Sequence, residues 1–249
     1  MNGSPTMRER YEGARRSGHP LLGGHRGNPA EFPENTLASY RSALELGVDM
    51  LECDVHLARS GELVVIHDHT VDRTTDGSGL VRDLSLAELR ALDAGNGERI
   101  PLLEEVLDLV RGRAALAIEI KQAPLPYQGL EAALVDALRV AGMTDQCAVI
   151  SFFHPSVKVV KELEPELQVG ILDVGRPVDP VRMLDDARAD IFAAHWTGCD
   201  PEMVEVIHGA GKVVGFWVVD DVPSMAWTRA CGPDSIFTNQ PRAIAAHLG

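Results

Sequence analysis

The chain has 249 residues, 45% of them hydrophobic, and its 37 acidic and 23 basic residues give a formal net charge of −14. That content fits one large domain, and a single α/β barrel commonly takes about 250 residues. The acidic balance argues against a nucleic-acid surface, which needs clustered Lys and Arg. No apolar run approaches the ~18 residues that span a bilayer, so the expectation is a soluble, cytoplasmic protein. Cys53, Cys147, Cys199 and Cys231 are scattered without CxxC spacing and read as reduced core thiols.

In chain order, residues 1–19 carry charges every few positions and no apolar centre. They read as neither signal nor anchor but as a flexible N-terminal extension ahead of a domain over 20–249. A strand over 21–24 runs into His25-Arg26-Gly27, and Leu37, Tyr40 and Leu44 then mark a helix stopped at Gly47. The next strand, 48–55, carries Glu52 and Asp54. Residues 58–62 are too few for a parallel crossover but enough for a hairpin, so the strand over 63–67, ending in His67-Asp68, should return antiparallel. Residues 56–84 are then a hairpin and polar excursion above a barrel mouth.

Ser85 and Glu88 form a capping-box signature, and Leu103, Val106, Leu107 and Val110 repeat at helical spacing. A strand over 114–121 carries Glu119 and Lys121; strands over 148–151, 168–173, 191–195, 213–219 and 235–238 follow, separated by helical stripes. Nine strands less the hairpin's return strand leave eight parallel ones. The fold class is α/β: a TIM-type (β/α)8 barrel with a small hairpin insertion after the second strand.

Charges at the ends of apolar strands carry the chemistry. Glu52 and Asp54, two apart, point to one face of their strand, where two carboxylates repel unless a cation lies between them. Glu119 offers a third oxygen, and an oxygen-only set suits Mg²⁺ or Ca²⁺, with Mn²⁺ the next candidate. His25 and His67 are candidates for general base and general acid in either order, because imidazole titrates near neutrality. Arg26 offers a donor fork to phosphate oxygens and Lys121 a point charge, although Arg26 also has potential partners in Glu34 and Asp54.

These residues sit in His25-Arg26-Gly27 with Pro33-Glu34-Asn35-Thr36, Glu52-x-Asp54-Val55, Ile66-His67-Asp68, Asp72-Arg73-Thr74-Thr75-Asp76-Gly77, Glu119-Ile120-Lys121, Ser151-Phe152, Phe216-Trp217 and Phe237-Thr238-Asn239. In that order the chain resembles the glycerophosphodiester phosphodiesterase family over roughly residues 20–245. The resemblance implies His25 and His67 as the catalytic pair, Glu52, Asp54 and Glu119 as divalent-metal ligands, and Arg26 and Lys121 on the phosphate. It also implies Trp217 beside the glycerol of a small-molecule glycerophosphodiester.

Departures from the family pattern include Asn239 where Asp is frequent, and Phe153 and Val219, which are expected to reshape the alcohol side of the pocket. Two rival readings are phospholipase D-like hydrolysis of lysophospholipids, which needs an apolar rim not found in 68–84, and a noncatalytic phosphate-binding barrel. The oligomeric state is open.

Overall fold

The computed structural model describes residues 4–247. Among them, nine strands form one sheet: β1 (Leu21–Gly24), β2 (Met50–Leu57), β3 (Leu63–Val65), β4 (Ala115–Ile120), β5 (Cys147–Ser151), β6 (Gln168–Asp173), β7 (Ile191–His195), β8 (Val213–Trp217) and β9 (Ser235–Thr238). The order is β1-β9-β8-β7-β6-β5-β4-β2-β3, and β1 also pairs with β2. Eight parallel strands therefore close into a (β/α)8 barrel, with β3 attached outside the ring. Helices α1 (Met7–Ser17), α2 (Leu37–Glu45), α3 (Leu86–Ala91), α4 (Leu103–Val110) and α5 (Leu130–Ala141) belong to the first half of the chain. Helices α6 (His154–Leu163), α7 (Pro180–Asp186), α8 (Pro201–Gly209), α9 (Val222–Cys231) and α10 (Pro241–Ala245) complete the outer layer. Among the described residues no helix is long and apolar enough to cross a membrane.

Strand alternation sorts the side chains into two shells. Leu51, Cys53 and Val55 of β2 and Leu116, Ile118 and Ile120 of β4 face the helices in the large outer core. The alternate positions point into the barrel, where Met50, Ala115, Ala117, Ala148, Ile150, Ala193 and Phe237 form a smaller inner core. The interior is lined largely by small residues, and Phe237 fills the space opposite Gly23, whose Cβ would lie 2.3 Å from its ring.

The hairpin forms as its short connection requires: Val55, His56 and Leu57 pair antiparallel with Val65, Val64 and Leu63. The return strand stops two residues short of His67, which leaves the ladder for the barrel mouth. The polar excursion after it has its own core, built on Val64, Ile66, Val71, Val81, Leu89 and Ile100.

The N-terminal segment corrects the expectation of a flexible extension. Residues 1–3 lie outside the described residues, but Met7–Ser17 is a helix with a capping box made by Thr6 and Glu9. Its charges face outward, while Met7 and Tyr11 join the inner core beside Met50 and Ala115, plugging the barrel at the N-terminal ends of its strands. Arg15 fastens the helix through bonds of 3.0 and 2.9 Å to the carboxylate of Asp234, which is 1% exposed.

Candidate active site

The opposite, C-terminal end of the barrel gathers the charged strand ends into one cavity of about 190 Å³. His25, Arg26, Glu52, His67, Glu119, Lys121 and Trp217 all line it. Asp54 lies behind them, fully buried. The parallel register of β2 and β4 sets Asp54 directly opposite Glu119.

Glu52, Asp54 and Glu119 each offer an oxygen, and these oxygens lie within 4.8 Å of one another. Lys121 Nζ sits 2.9 Å from Asp54 Oδ1 and 2.5 Å from Glu119 Oε1. Lys121 and Arg26, the latter shared with Glu34, leave three buried carboxylates short of positive charge. Burial opposes ionisation of Asp54, yet Lys121 and Arg26 hold it well below the usual carboxylate range. Burial and Asp54 push Glu52 well above that range, and burial, against the pull of Lys121, pushes Glu119 up to about 7. Glu52 Oε1 has no hydrogen-bond partner, and Asp54 Oδ1, although close to Lys121, has none of acceptable geometry. Unpartnered oxygens on a crowded set of hard donors fit a divalent cation, which would let all three ionise.

The turn after β1 is built to reach this set. Arg26 (φ 54°) and Gly27 (φ 91°) both have left-handed backbones, and the Arg26 N–H donates to Glu52 Oε2 at 3.0 Å. Only glycine fits at 27, where a Cβ would lie 2.4 Å from Ser39 Oγ. The Arg26 guanidinium donates to Glu34 at 2.9 Å and lies 3.3 Å from Asp54, so both partners foreseen from sequence are present at once. Arg73 bridges Glu34 at 2.8 Å and Asp68 at 2.7 Å, tying the excursion to the mouth.

Each histidine is held through one nitrogen. His25 Nδ1 is 2.7 Å from Asn239 Oδ1, and its Nε2 lies 3.9 Å from Glu52. Burial, reinforced by Arg26, drives His25 down to about 4. His67 Nδ1 is 2.6 Å from Asp68 Oδ1. Burial lowers its pKa too, while Asp54 and Asp68 draw it back upward.

Trp217 stands on the apolar side, its indole N–H donating to Ala193 O at 2.9 Å and its ring edge-on to Phe152 at 5.5 Å. Val219 is fully buried in the outer core and does not reach the cavity, because β8 ends at Trp217 and the strand alternation ends with it. Phe152, not Phe153, lines the cavity with Trp217.

Three residues to which the sequence assigns no role complete the surroundings. Asn35 donates to Asp54 Oδ2 at 2.7 Å and accepts from Tyr40 Oη at 2.7 Å, and Asn239 and Asp220 stand behind His25. Asn35 sits at a positive φ (58°), a conformation Asn tolerates.

The Glycerophosphoryl diester phosphodiesterase family model matches residues 25–243. A glycerophosphodiester phosphodiesterase of Caldanaerobacter subterraneus subsp. tengcongensis is 38% identical over 234 residues, covering 90% of this chain and 96% of its own. A phosphodiesterase of Oleispira antarctica, solved with the product sn-glycerol-3-phosphate, is 31% identical with a TM-score of 0.85, over 94% of this chain and 98% of that one. A Galdieria sulphuraria structure also reaches a TM-score of 0.85, at 27% identity over 92% of this chain and 97% of that one. With its barrel, its strand-end carboxylates and more than four-fifths of its length matched, the chain belongs to the glycerophosphoryl diester phosphodiesterase family.

Proposed function

We propose that the protein hydrolyses glycerophosphodiesters to glycerol 3-phosphate and an alcohol, in a metal-dependent reaction with His25 as base and His67 as acid. The observation that carries this reading is the pairing of two imidazoles, each held through Nδ1, with a buried cluster of three carboxylates in one cavity. The product held by the Oleispira relative supports glycerol 3-phosphate as the product here.

A divalent cation, Mg²⁺ or Ca²⁺ by its preference for oxygen, with Mn²⁺ next, would be held by Glu52, Asp54 and Glu119 and would draw charge from a nonbridging phosphate oxygen. Arg26 and Lys121 hold the remaining phosphate oxygens, and Trp217 stands against the glycerol carbons. His25, kept neutral by burial and by the Arg26 charge, takes the proton of the attacking hydroxyl at Nε2. His67, whose Nδ1 faces the Asp68 carboxylate, gives a proton to the departing alkoxide. With water as the attacking group, the sum is one water added across one P–O bond.

Replacing either histidine should lower kcat by roughly 10²–10⁴-fold, the usual share of a positioned acid or base. Release of glycerol 3-phosphate from glycerophosphocholine measures this for His25→Ala and His67→Ala. Full activity in either variant contradicts the assignment, and no activity in the parent protein leaves the noncatalytic barrel.

One observation favours lysophospholipids as a second substrate class. Exposed Phe152 and Phe153 beside the mouth supply apolar surface that residues 68–84 lack. A higher kcat/KM for lysophosphatidylcholine than for glycerophosphocholine, reversed by Phe152→Ala, would establish that order. Equal loss of both activities would remove it.

A further inference from the structure

His25 is backed by a short relay from the two strands next to β1 in the ring, β9 and β8. Asp220 follows β8 by three residues and Asn239 directly follows β9. Asp220 Oδ1 accepts from Thr238 Oγ1 at 3.0 Å and from the Asn239 backbone N–H at 2.7 Å, and its Oδ2 accepts from Asn239 Nδ2 at 2.8 Å. The other end of the same amide, Asn239 Oδ1, meets His25 Nδ1 at 2.7 Å.

The polarity of this relay follows from the carboxylate. An ionised carboxylate only accepts, so the end of the Asn239 amide that faces Asp220 must be its NH₂. The end facing His25 is then the oxygen, which also only accepts, so His25 Nδ1 must carry the hydrogen. The lone pair is left on Nε2, the atom assigned to proton abstraction. We propose that Asp220 is a positioning residue for the hydrolysis, fixing the Asn239 amide and through it the Nδ1–H tautomer of His25. This rests on the reading of His25 as base.

Asp220→Asn inverts the logic while changing almost no volume. The new carboxamide keeps an oxygen for Thr238 and the backbone but turns its NH₂ toward Asn239. Two NH₂ groups cannot face each other, so the Asn239 amide turns over, donates to His25 Nδ1 and moves the ring hydrogen to Nε2. Adding Asn239→Asp restores the pattern, because the introduced NH₂ then meets a carboxylate whose other oxygen accepts from His25 Nδ1.

The experiment compares wild type, D220N, the D220N/N239D double variant and His25→Ala on glycerophosphocholine, with ¹⁵N NMR of the His25 ring. The wrong tautomer should cost D220N on the order of 100-fold or more in kcat with KM held. The double variant should regain most of that loss, and the ring should show Nδ1–H in wild type and double variant but Nε2–H in D220N. A folded D220N that keeps Nδ1–H or wild-type kcat overturns the proposal while leaving the base assignment intact. Activity in His25→Ala overturns the base assignment and the proposal with it. Should D220N not fold, Asn239→Ala takes its place, since it leaves Asp220 its bonds to Thr238 and the backbone. The relay then predicts lower kcat at constant KM, and unchanged kcat overturns it.

Discussion

Asp54 and Glu119 face each other across neighbouring strands, an arrangement that repels unless positive charge lies between them. Lys121 supplies that charge from a position 11% exposed, between partners that are still less exposed. Removing one partner of such a buried group should be severe: Lys121→Met is expected to lower the stability of the metal-free protein by roughly 3–5 kcal/mol. A saturating divalent cation should recover part of it, read as melting temperature with and without the cation.

Asp234, at the other end of the barrel, sets a pH dependence. Burial opposes its ionisation, but His208, Arg15 and the Val214 N–H hold it below its ordinary 3.8. A depressed carboxylate stabilises the fold fully above its unfolded value and loses that contribution as pH falls through the folded one. Asp234→Asn should therefore cost roughly 2 kcal/mol near neutral pH, with the difference closing only in acid, by thermal melts across pH.

Glu52, Asp54, Glu119 and Lys121 are legible in the sequence because a charge on an otherwise apolar strand is costly to bury unless it is paired or binds something. Asp220 and Asn35 are not, because polar residues are ordinary in turns, where water or the backbone satisfies them.

At the scale of elements, the hairpin shows what spacing can decide. Residues 58–62 admit a hairpin and no crossover, and this alone orients β3 and delivers His67 to the mouth. The plug helix α1 escapes the sequence reading for a physical reason. Its three inward positions, Met7, Tyr11 and Ala14, are embedded in charge, and its mean character is strongly polar, so only the spacing and the Thr6-x-x-Glu9 cap mark it. Tyr11 packs in the inner core and also floors the cavity. Tyr11→Ala is expected to cost about 3 kcal/mol, judged from large aromatic truncations, and chemical denaturation measures it. A flexible, undocked segment would instead leave stability unchanged.

For the whole molecule, barrel closure makes one site from segments more than 200 residues apart, bringing His25 after β1 against Asn239 after β9. Strand alternation then places apolar residues outward and charges inward, so folding and function use opposite faces of the same strands. Metal-stripped protein should release no glycerol 3-phosphate from glycerophosphocholine, adding Mg²⁺, Ca²⁺ or Mn²⁺ should restore release, and Glu52→Ala should abolish the restoration. Undiminished release from the stripped protein, or restoration that survives Glu52→Ala, would contradict the account.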